Sequence, residues 1–302
     1  MKVLVTGGTG FIGNYLVGLL VARGDKVTIV SRNPNRIRTA RAGVKAAAWL
    51  PDLSEFDAVV NLAGESIFGK RWNAQQLELL RSTRLETTQR LLEGMAAAET
   101  KPKVFVSGSA VGFYGHRPGA DLLEDSPAGD DFLAQLCVDW EALASKAEDL
   151  GVRTVNMRTG VVLGHDGGAL AKMLPPFRMF VGGPVGNGRQ VVPWIHEEDM
   201  SRAIEFAIDT ADLRGPINFT APNPRTMREL ARTIGKTLGR PSFFPVPAFA
   251  LKLALGGVAA ALLADQRVLP KRLQEAGFEF NHPDHEAAIE SLLQRYLIDS
   301  QV

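Results

Sequence analysis

Short apolar segments alternate with longer amphipathic segments through the first two-thirds of this 302-residue chain. The longer segments, in which leucines recur at near-helical spacing, predict helices at residues 11–23, 73–98 and 132–150. The short segments are rich in β-branched residues and predict buried strands at residues 3–6, 26–30, 57–62, 104–107 and 152–157. This alternation is typical of a parallel sheet covered by helices. We therefore expect an α/β fold with a doubly wound parallel sheet.

The pattern changes after Gly160, where glycine and proline become frequent and predict loops, notably at residues 182–194. Helices are expected at residues 197–208 and 227–238, the second behind a capping box of Thr226 and Glu229, and the Ala/Leu-rich tail from Pro241 is also expected to be helical. We expect the parallel sheet in residues 1–164, with residues 197–221 returning to it. Residues 165–302 are expected to form most of a smaller, mostly helical second domain.

A glycine-rich turn follows the first predicted strand directly and leads into a helix, in the sequence VLVTGGTGFIG. Three glycines spaced three residues apart have separate uses here: a tight turn, close approach of a pyrophosphate to the backbone, and close packing of helix on strand. The amides at the start of the helix then face the phosphates. This combination indicates a Rossmann dinucleotide-binding domain. The expected cofactor contacts are Gly7, Gly8, Thr9, Gly10, Phe11, Ile12 and Gly13.

The end of the second predicted strand indicates which dinucleotide is bound. Rossmann domains that bind NAD carry an Asp or Glu there to hold the ribose hydroxyls, whereas this chain has Ser31 and Arg32. An arginine pairs well with a 2′-phosphate. We therefore expect NADP(H), with Ser31 and Arg32 at its 2′-phosphate. Leu62, Ala63 and Gly64, which end the predicted strand at residues 57–62, are expected to lie along its adenosine half.

Charge and cysteine content exclude several other classes of protein. The formal net charge of +1 provides no strong electrostatic attraction for nucleic acid or an anionic membrane. The single cysteine, Cys137, precludes an intrachain disulfide and favours a reducing compartment, so we expect a cytoplasmic protein. Residues 246–264 approach the length of a membrane span, but Pro247, Lys252 and two adjacent glycines interrupt them, which favours a helix pair. The sequence indicates no oligomeric state.

At this point the motifs resemble those of a known family. TGGTGFIG, NLAG, VSGSAVGFYG and PWIHEEDM together resemble the extended short-chain dehydrogenases/reductases, over roughly the first 220 residues. GESIFGKRWN, RSTRLETT, GGPVGNGRQVVPWIH and VLPKRLQEAGFEF extend the resemblance over nearly the whole chain to the atypical epimerase-family branch. The resemblance implies a nicotinamide cofactor and a C-terminal substrate domain. Arg84 stands where extended members carry an asparagine. We expect it either to contact a cofactor phosphate or to lie exposed on its helix.

The resemblance also implies a catalytic Ser or Thr, a Tyr, and a Lys four residues after the Tyr that lowers its pKa. Ser109 matches the serine, but Cys137 and Glu141 stand where the Tyr and Lys are expected. Tyr114, at the end of the strand that carries Ser109, is the one tyrosine expected near the site. We therefore expect Ser109 and Tyr114 as catalytic residues, with Cys137 or Glu141 as the alternative proton path.

The expected partner is a small molecule, sugar-like or planar, because Trp72, Phe113, Trp194 and His196 are candidates for the pocket wall. His282 and His285 have a spacing that suggests a metal, but the sequence indicates no third ligand, so we expect a surface turn and no metal. Two functions remain open. One is an NADP(H)-dependent oxidoreductase or epimerase-like enzyme with a rebuilt proton-transfer site. The other is a non-catalytic NADPH-binding sensor or partner-binding protein.

Overall fold

The structure, a computed structural model, describes residues 1–31, 33–34, 42–48 and 50–299, with side chains described up to residue 294. Arg32, the residue expected at the 2′-phosphate, lies outside the described residues. The described strands are β1 Lys2–Thr6, β2 Lys26–Val30, β3 Val44–Ala47, β4 Ala58–Asn61, β5 Val104–Ala110, β6 Arg117–Leu122, β7 Arg153–Thr159, β8 Val161–Leu163, β9 Val191–Val192, β10 Trp194–His196, β11 Gly215–Phe219, β12 Arg225–Thr226 and β13 Gln266–Val268.

Ten α-helices occur in the described ranges. They are α1 Phe11–Ala22, α2 Ala74–Ala97, α3 Phe132–Ala144, α4 Gly168–Arg178, α5 Glu197–Asp209, α6 Met227–Leu238, α7 Ala248–Leu255, α8 Val258–Leu263, α9 Lys271–Glu275 and α10 His285–Asp299. The predicted helix over residues 132–150 is shorter than expected, because α3 ends at Ala144 and a 3-10 helix, Ser145–Leu150, replaces its last turns. Thr226 and Glu229 form the predicted capping box of α6.

Seven parallel strands form the central sheet, in the order β11-β7-β5-β4-β1-β2-β3. Alternate residues of each strand point to opposite faces, and both faces are buried. Val3 and Val5 pack with α1 and α5 on one face, and Leu4 packs with α2 on the other. This is the doubly wound α/β fold that the alternating pattern predicts. In such sheets ligands bind at the carboxyl ends of the strands, beside the point where the strand order reverses, which here lies between β1 and β4.

A second core lies outside the sheet. It is built from the buried faces of α4, α6 and α10, with Trp194 at its centre. Two short strand pairs, β8-β10 and β9-β12, connect this core to the region of the sheet. β11 returns from it to pair with β7, and α5 packs against α1.

The apolar stretch over residues 246–264 forms two short helices. Gly256 separates α7 from α8 at a backbone angle φ of +60°, in the left-handed region that favours glycine. None of the helices in the described ranges has the length and apolar character that crossing a membrane requires.

Candidate active site

The glycine turn between β1 and α1 is held by backbone contacts that leave no room for side chains at two of its positions. Gly7 has a φ of +68°, and a Cβ there would lie 2.6 Å from the carbonyl oxygen of Leu62. A Cβ on Gly13 would collide with the carbonyl oxygen of Gly7. These two glycines therefore fix the turn against the sheet and against α1.

Gly10 differs from Gly7 and Gly13 in the space that surrounds it. A Cβ on Gly10 would meet only the carbonyl oxygen of Gly7, at 3.2 Å, and would otherwise point into open space. Gly10 is also the N-cap of α1 and has no side chain to accept from the first helical amides. The turn therefore presents open space and free backbone donors on the same side, as a pyrophosphate requires.

Phe11, expected among the cofactor contacts, packs its ring against a second glycine-rich loop. A Cβ on Gly167 would lie 2.5 Å from the ring of Phe11, one on Gly168 would lie 2.9 Å from it, and one on Gly164 would also collide with it. The glycines of this loop therefore make room for the aromatic ring. The contact joins the start of α1 to the segment between β8 and α4.

Ser31 follows β2 and lies half-buried at the end of the sheet. Its amide donates to the carbonyl oxygen of Ala47 at 2.9 Å, and its hydroxyl oxygen accepts from the amide of Asn33 at 3.2 Å. The assignment of Ser31 and Arg32 to a 2′-phosphate stays a prediction.

A buried chain of hydrogen bonds fixes the end of β4. The Thr6 hydroxyl donates to Asn61 Oδ1 at 2.6 Å, Asn61 Nδ2 donates to Thr88 Oγ1 at 3.0 Å, and Trp140 Nε1 donates to the same oxygen at 2.8 Å. These bonds tie together β1, β4, α2 and α3. Leu62 and Ala63, which follow β4, present their backbone to Gly7.

Arg84 lies over the backbone of Gly64. Its Nη1 donates to the carbonyl oxygen of Leu80 at 2.9 Å and its Nη2 to that of Glu65 at 3.0 Å. Burial lowers the pKa of Arg84 from its usual value. In this structure the guanidinium therefore secures the loop after β4, and its contact with a cofactor phosphate stays a prediction.

The serine of the candidate site is bonded to a buried ion pair. Ser109 Oγ donates to Glu141 Oε1 at 2.6 Å. Arg158 binds the same carboxylate through two bonds, Nε to Oε1 and Nη2 to Oε2, both 2.8 Å. The register of β5 on β7 places Ser109 directly beside Arg158, and α3 supplies Glu141. All three side chains are buried, and a buried carboxylate requires such a bidentate partner.

Arg158 was missed by the sequence analysis, although a signal was present. It lies in a strand that is buried on both faces, where a charged residue requires a partner of opposite charge. Its guanidinium carbon also lies 3.4 Å from the centroid of the Phe113 ring, a cation–π contact. Arg158 therefore organises both the Glu141 carboxylate and the aromatic residue beside the site.

Tyr114 follows the end of β5, where it was expected, but its side chain is buried in the interior. A 3-10 helix, Val111–Tyr114, follows β5 and turns the ring inward, where it is 0% exposed. The hydroxyl donates to Asn218 Oδ1 at 2.6 Å and accepts from Arg158 Nη1 at 3.0 Å. Burial raises the pKa of Tyr114 to about 12. The hydroxyl is therefore a protonated structural donor in this arrangement.

Two further buried groups lie beside this network. Burial, and then the charge of the nearby Glu141, raise the pKa of the Cys137 thiol to about 11. Burial also raises the pKa of Glu124, which the sequence analysis missed. Glu124 Oε1 accepts from the amides of Asn218 and Arg272, and its Oε2 has no hydrogen-bond partner among the described residues. The Cys137 thiol is therefore not poised to exchange protons near neutral pH.

Only part of the expected aromatic wall is accessible. Trp72 and Phe113 are partly exposed, and Trp72 packs edge-on against Phe132 with ring centroids 5.9 Å apart. Trp194 and His196, in contrast, are 0% and 1% exposed. Trp194 belongs to the second core, and its Nε1 donates to the carbonyl oxygen of Asn223. These two residues are therefore core residues, because β10 carries them inward from the loop.

His282 lies next to His196 and Glu198, and His285 lies apart from them. The potential ligand atoms of His196, Glu198 and His282 lie within 4.8 Å of one another. The two imidazole rings, however, stack at 3.7 Å with an interplanar angle of 22°, so their in-plane lone pairs do not converge on one point. His196 Nδ1 already accepts from the Glu198 amide at 3.1 Å and caps α5. Glu198 and His196 are therefore candidate ligands beside His282 that the sequence did not indicate. Their contacts with His282 link α5 to the segment before α10.

Comparison with known proteins supports the same fold and cofactor class. The chain is 41% identical to the epimerase family protein SDR39U1 of Bos taurus, over 97% of this chain and 100% of that protein. It is 38% identical to the epimerase family protein YfhF of Bacillus subtilis, over 97% and 98%. The crystal structure of human epimerase family protein SDR39U1 (isoform 2) with NADPH is 40% identical and superposes with a TM-score of 0.89, over 97% of this chain and 99% of that one.

More distant structures share the fold alone. The UDP-glucose 4-epimerase of Thermus thermophilus, solved in complex with NAD, is 22% identical with a TM-score of 0.77, over 98% of this chain and 99% of that one. Within this chain, residues 246–292 match a domain of unknown function, DUF1731. Residues 3–219, which hold the glycine turn and the Ser109 network, match the NAD dependent epimerase/dehydratase family, and the chain therefore belongs to that family.

Proposed function

We propose that this protein binds NADP(H) at the glycine turn and catalyses hydride transfer to or from a small sugar-like or planar substrate. The observation that carries the proposal is the turn itself, where Gly10 leaves open space in front of the free amides of α1. The human relative solved with NADPH supports the choice of cofactor. So does the absence of a carboxylate at Ser31 and Arg32.

Bound NADP(H) supplies or accepts the hydride, and the residues of this chain must hold the substrate oxygen and move its proton. Ser109 is at the carboxyl end of β5, where ligands bind in such sheets. Its hydroxyl donates to Glu141, which leaves the serine oxygen free to accept from a substrate hydroxyl. During alcohol oxidation the substrate proton passes to Ser109, and the serine proton passes to Glu141. This pair takes the place of the Tyr and Lys that the chain lacks.

A specific observation favours a second candidate, a non-catalytic NADPH-binding protein. Tyr114 is 0% exposed, and burial places the pKa of Tyr114 at about 12 and that of Cys137 at about 11. Neither residue is an efficient acid at neutral pH, because general acids work best with a pKa near the operating pH. If the Ser109–Glu141 pair moves no proton either, the site binds the dinucleotide without turning it over.

The test measures hydride transfer between NADP(H) and a panel of nucleotide sugars and planar carbonyl compounds. The absorbance of the reduced nicotinamide reports the reaction. Ser109→Ala is the informative variant, because Glu141 keeps both bonds to Arg158 and the fold is preserved. We expect NADPH affinity to be unchanged and turnover to fall by about 10²–10⁴, the usual range for loss of a proton-transfer group.

Tyr114→Phe is the matched comparison. If the proton path runs through Ser109 and Glu141, this variant keeps turnover within about tenfold and loses mainly stability, because Asn218 and Arg158 each lose a hydrogen-bond partner. If Tyr114 is the proton donor, as expected from the sequence, Tyr114→Phe loses turnover instead. Tight NADPH binding without turnover across the whole panel would favour the non-catalytic protein.

A further inference from the structure

Large hydrophobic side chains are concentrated on one exposed face of the C-terminal region. Ten large hydrophobic residues are exposed in the described ranges, and seven of them lie in residues 179–181 and 243–253. We call these seven the apolar face: Met179, Phe180, Val181, Phe243, Phe244, Phe249 and Leu253. Phe249 and Leu253 are 75% and 76% exposed. Clustering of this kind on a folded protein indicates a surface that contacts something apolar.

Backbone hydrogen bonds make the face continuous. The segment before α7 runs beside the segment after α4, with the Phe244 amide donating to Gly182 at 3.2 Å and the Val246 amide to Pro184 at 2.9 Å. The rings of Phe243 and Phe244 lie 4.5 Å apart. The Arg240 guanidinium lies 4.2 Å from the ring of Phe180, across the same junction. The part of the apolar face before α7 therefore adjoins the part after α4, and α7 follows directly in the chain.

Helix α7 adds a second observation. Its sequence is AFALKLAL, yet none of its eight residues is buried. Phe249 and Leu253 are four residues apart and so lie on the same side of the helix. The partly buried residues of α7 are Ala248, Ala250, Leu251 and Leu255. The side that carries Phe249 and Leu253 is exposed and is available for an external contact.

The two chain segments that supply the apolar face carry charged residues of one sign. No Asp or Glu occurs in residues 167–196 or in residues 230–264. These two segments carry seven basic residues, Lys172, Arg178, Arg189, Arg232, Lys236, Arg240 and Lys252. Exposed Phe and Leu side chains beside Lys and Arg are typical of surfaces that insert shallowly among anionic lipids. Two copies of such a surface repel each other, which disfavours self-association through it.

We propose that the apolar face docks this protein on the surface of an anionic bilayer, with Phe249 and Leu253 entering the head-group boundary and Lys252 and Arg240 contacting lipid phosphates. The aliphatic stems of the two basic residues lie along the apolar side chains while their charged ends reach the head groups. The docking is peripheral and requires no spanning helix. It also requires no change in the sheet or in the dinucleotide site.

The test is flotation of the full chain with vesicles of neutral phosphatidylcholine, alone or mixed with anionic phosphatidylglycerol. We expect binding to the anionic vesicles that weakens as salt is added. Phe249→Ser with Leu253→Ser should abolish binding, and Lys252→Gln or Arg240→Gln should each weaken it about fivefold, the effect of one cation near a charged surface. Leu79→Ser, at an exposed leucine of α2 away from the face, is the matched control and should bind normally.

Circular dichroism and thermal unfolding establish that the double variant is folded, which is expected because α7 buries no residue. Two results would overturn the proposal. One is the absence of wild-type binding to anionic vesicles. The other is self-association of the wild-type protein in lipid-free solution that the double variant abolishes, since the face would then be an interface between two copies.

Discussion

At the scale of single residues, the three glycines of the first turn have different requirements, and substitutions can separate them. Gly10 borders open space, whereas Gly13 touches backbone. We expect Gly10→Val to abolish NADPH binding and leave the unfolding free energy nearly unchanged, because its side chain occupies the place of the pyrophosphate. Gly13→Ala should lower the unfolding free energy by about 1–3 kcal/mol, the usual cost of overpacking. Fluorescence titration and denaturant unfolding measure the two effects, and normal NADPH binding by Gly10→Val would contradict the assignment.

Arg32 is the residue on which cofactor preference is expected to depend. We expect the wild-type protein to bind NADPH more tightly than NADH, because a guanidinium pairs with the 2′-phosphate. Arg32→Asp should reduce the affinity for NADPH by about 1.5–3 kcal/mol, the value of a charge-assisted contact, and leave NADH binding little changed. Titration with both dinucleotides checks this, with Arg232→Asp on the exposed side of α6 as the charge control. Equal affinities of the wild-type protein for both would refute the assignment.

At the scale of secondary-structure elements, the sequence predicted those whose signal is local. Helix α1 and strand β2 follow directly from spacing and from the glycines beside them, and the capping box marks the start of α6. The short strand β3 was missed, because its four residues, VKAA, carry little β-branched character. The ion pair of Glu141 and Arg158 was also missed. It depends on the register of β5 on β7 and on the docking of α3, which no local pattern contains.

The start of α10 carries a pH-sensitive contact. His285 is buried, and its Nδ1 accepts from Arg225 Nε at 3.4 Å. Burial, and then the charge of Arg225, lower the pKa of His285 below its usual 6.5, against the opposing effects of Glu286, Glu229 and Asp284. Protonation therefore favours the unfolded chain. The stability that His285 contributes is complete above pH 6.5 and is lost as the pH falls toward the lower pKa of the folded state.

We expect the unfolding free energy of the wild-type protein to fall more steeply between pH 7.5 and pH 5.5 than that of His285→Gln. The difference in slope is at most about 1.4 kcal/mol per pH unit, the limit for one proton. Urea unfolding at several pH values measures it. His116→Gln, at an exposed histidine, controls for the loss of an imidazole. Parallel curves for wild type and His285→Gln would show that this contact does not couple folding to pH.

At the scale of the whole molecule, the net charge does not describe how charges are distributed along the chain. The total of +1 led to the expectation that no membrane is contacted. The net charge does not reveal that residues 167–196 and 230–264 contain no carboxylate. Backbone hydrogen bonds between residues 182–184 and 244–246 bring these two segments together. Arg240 then lies 4.2 Å from the ring of Phe180, and Lys252 lies on α7 between Phe249 and Leu253. Composition alone could not show the contact of Arg240 with Phe180, because no local pattern relates the two residues.

The position of β11 at the edge of the central sheet has a consequence for biosynthesis. Six of the seven strands have left the ribosome once Thr159 emerges, but the seventh, Gly215–Phe219, follows only after the residues of α4 and α5. Until then β7 is an open edge that can pair with strands of other nascent chains. A pause in translation between residues 160 and 219 therefore exposes the chain to aggregation. Chaperone engagement is expected to be greatest in that interval.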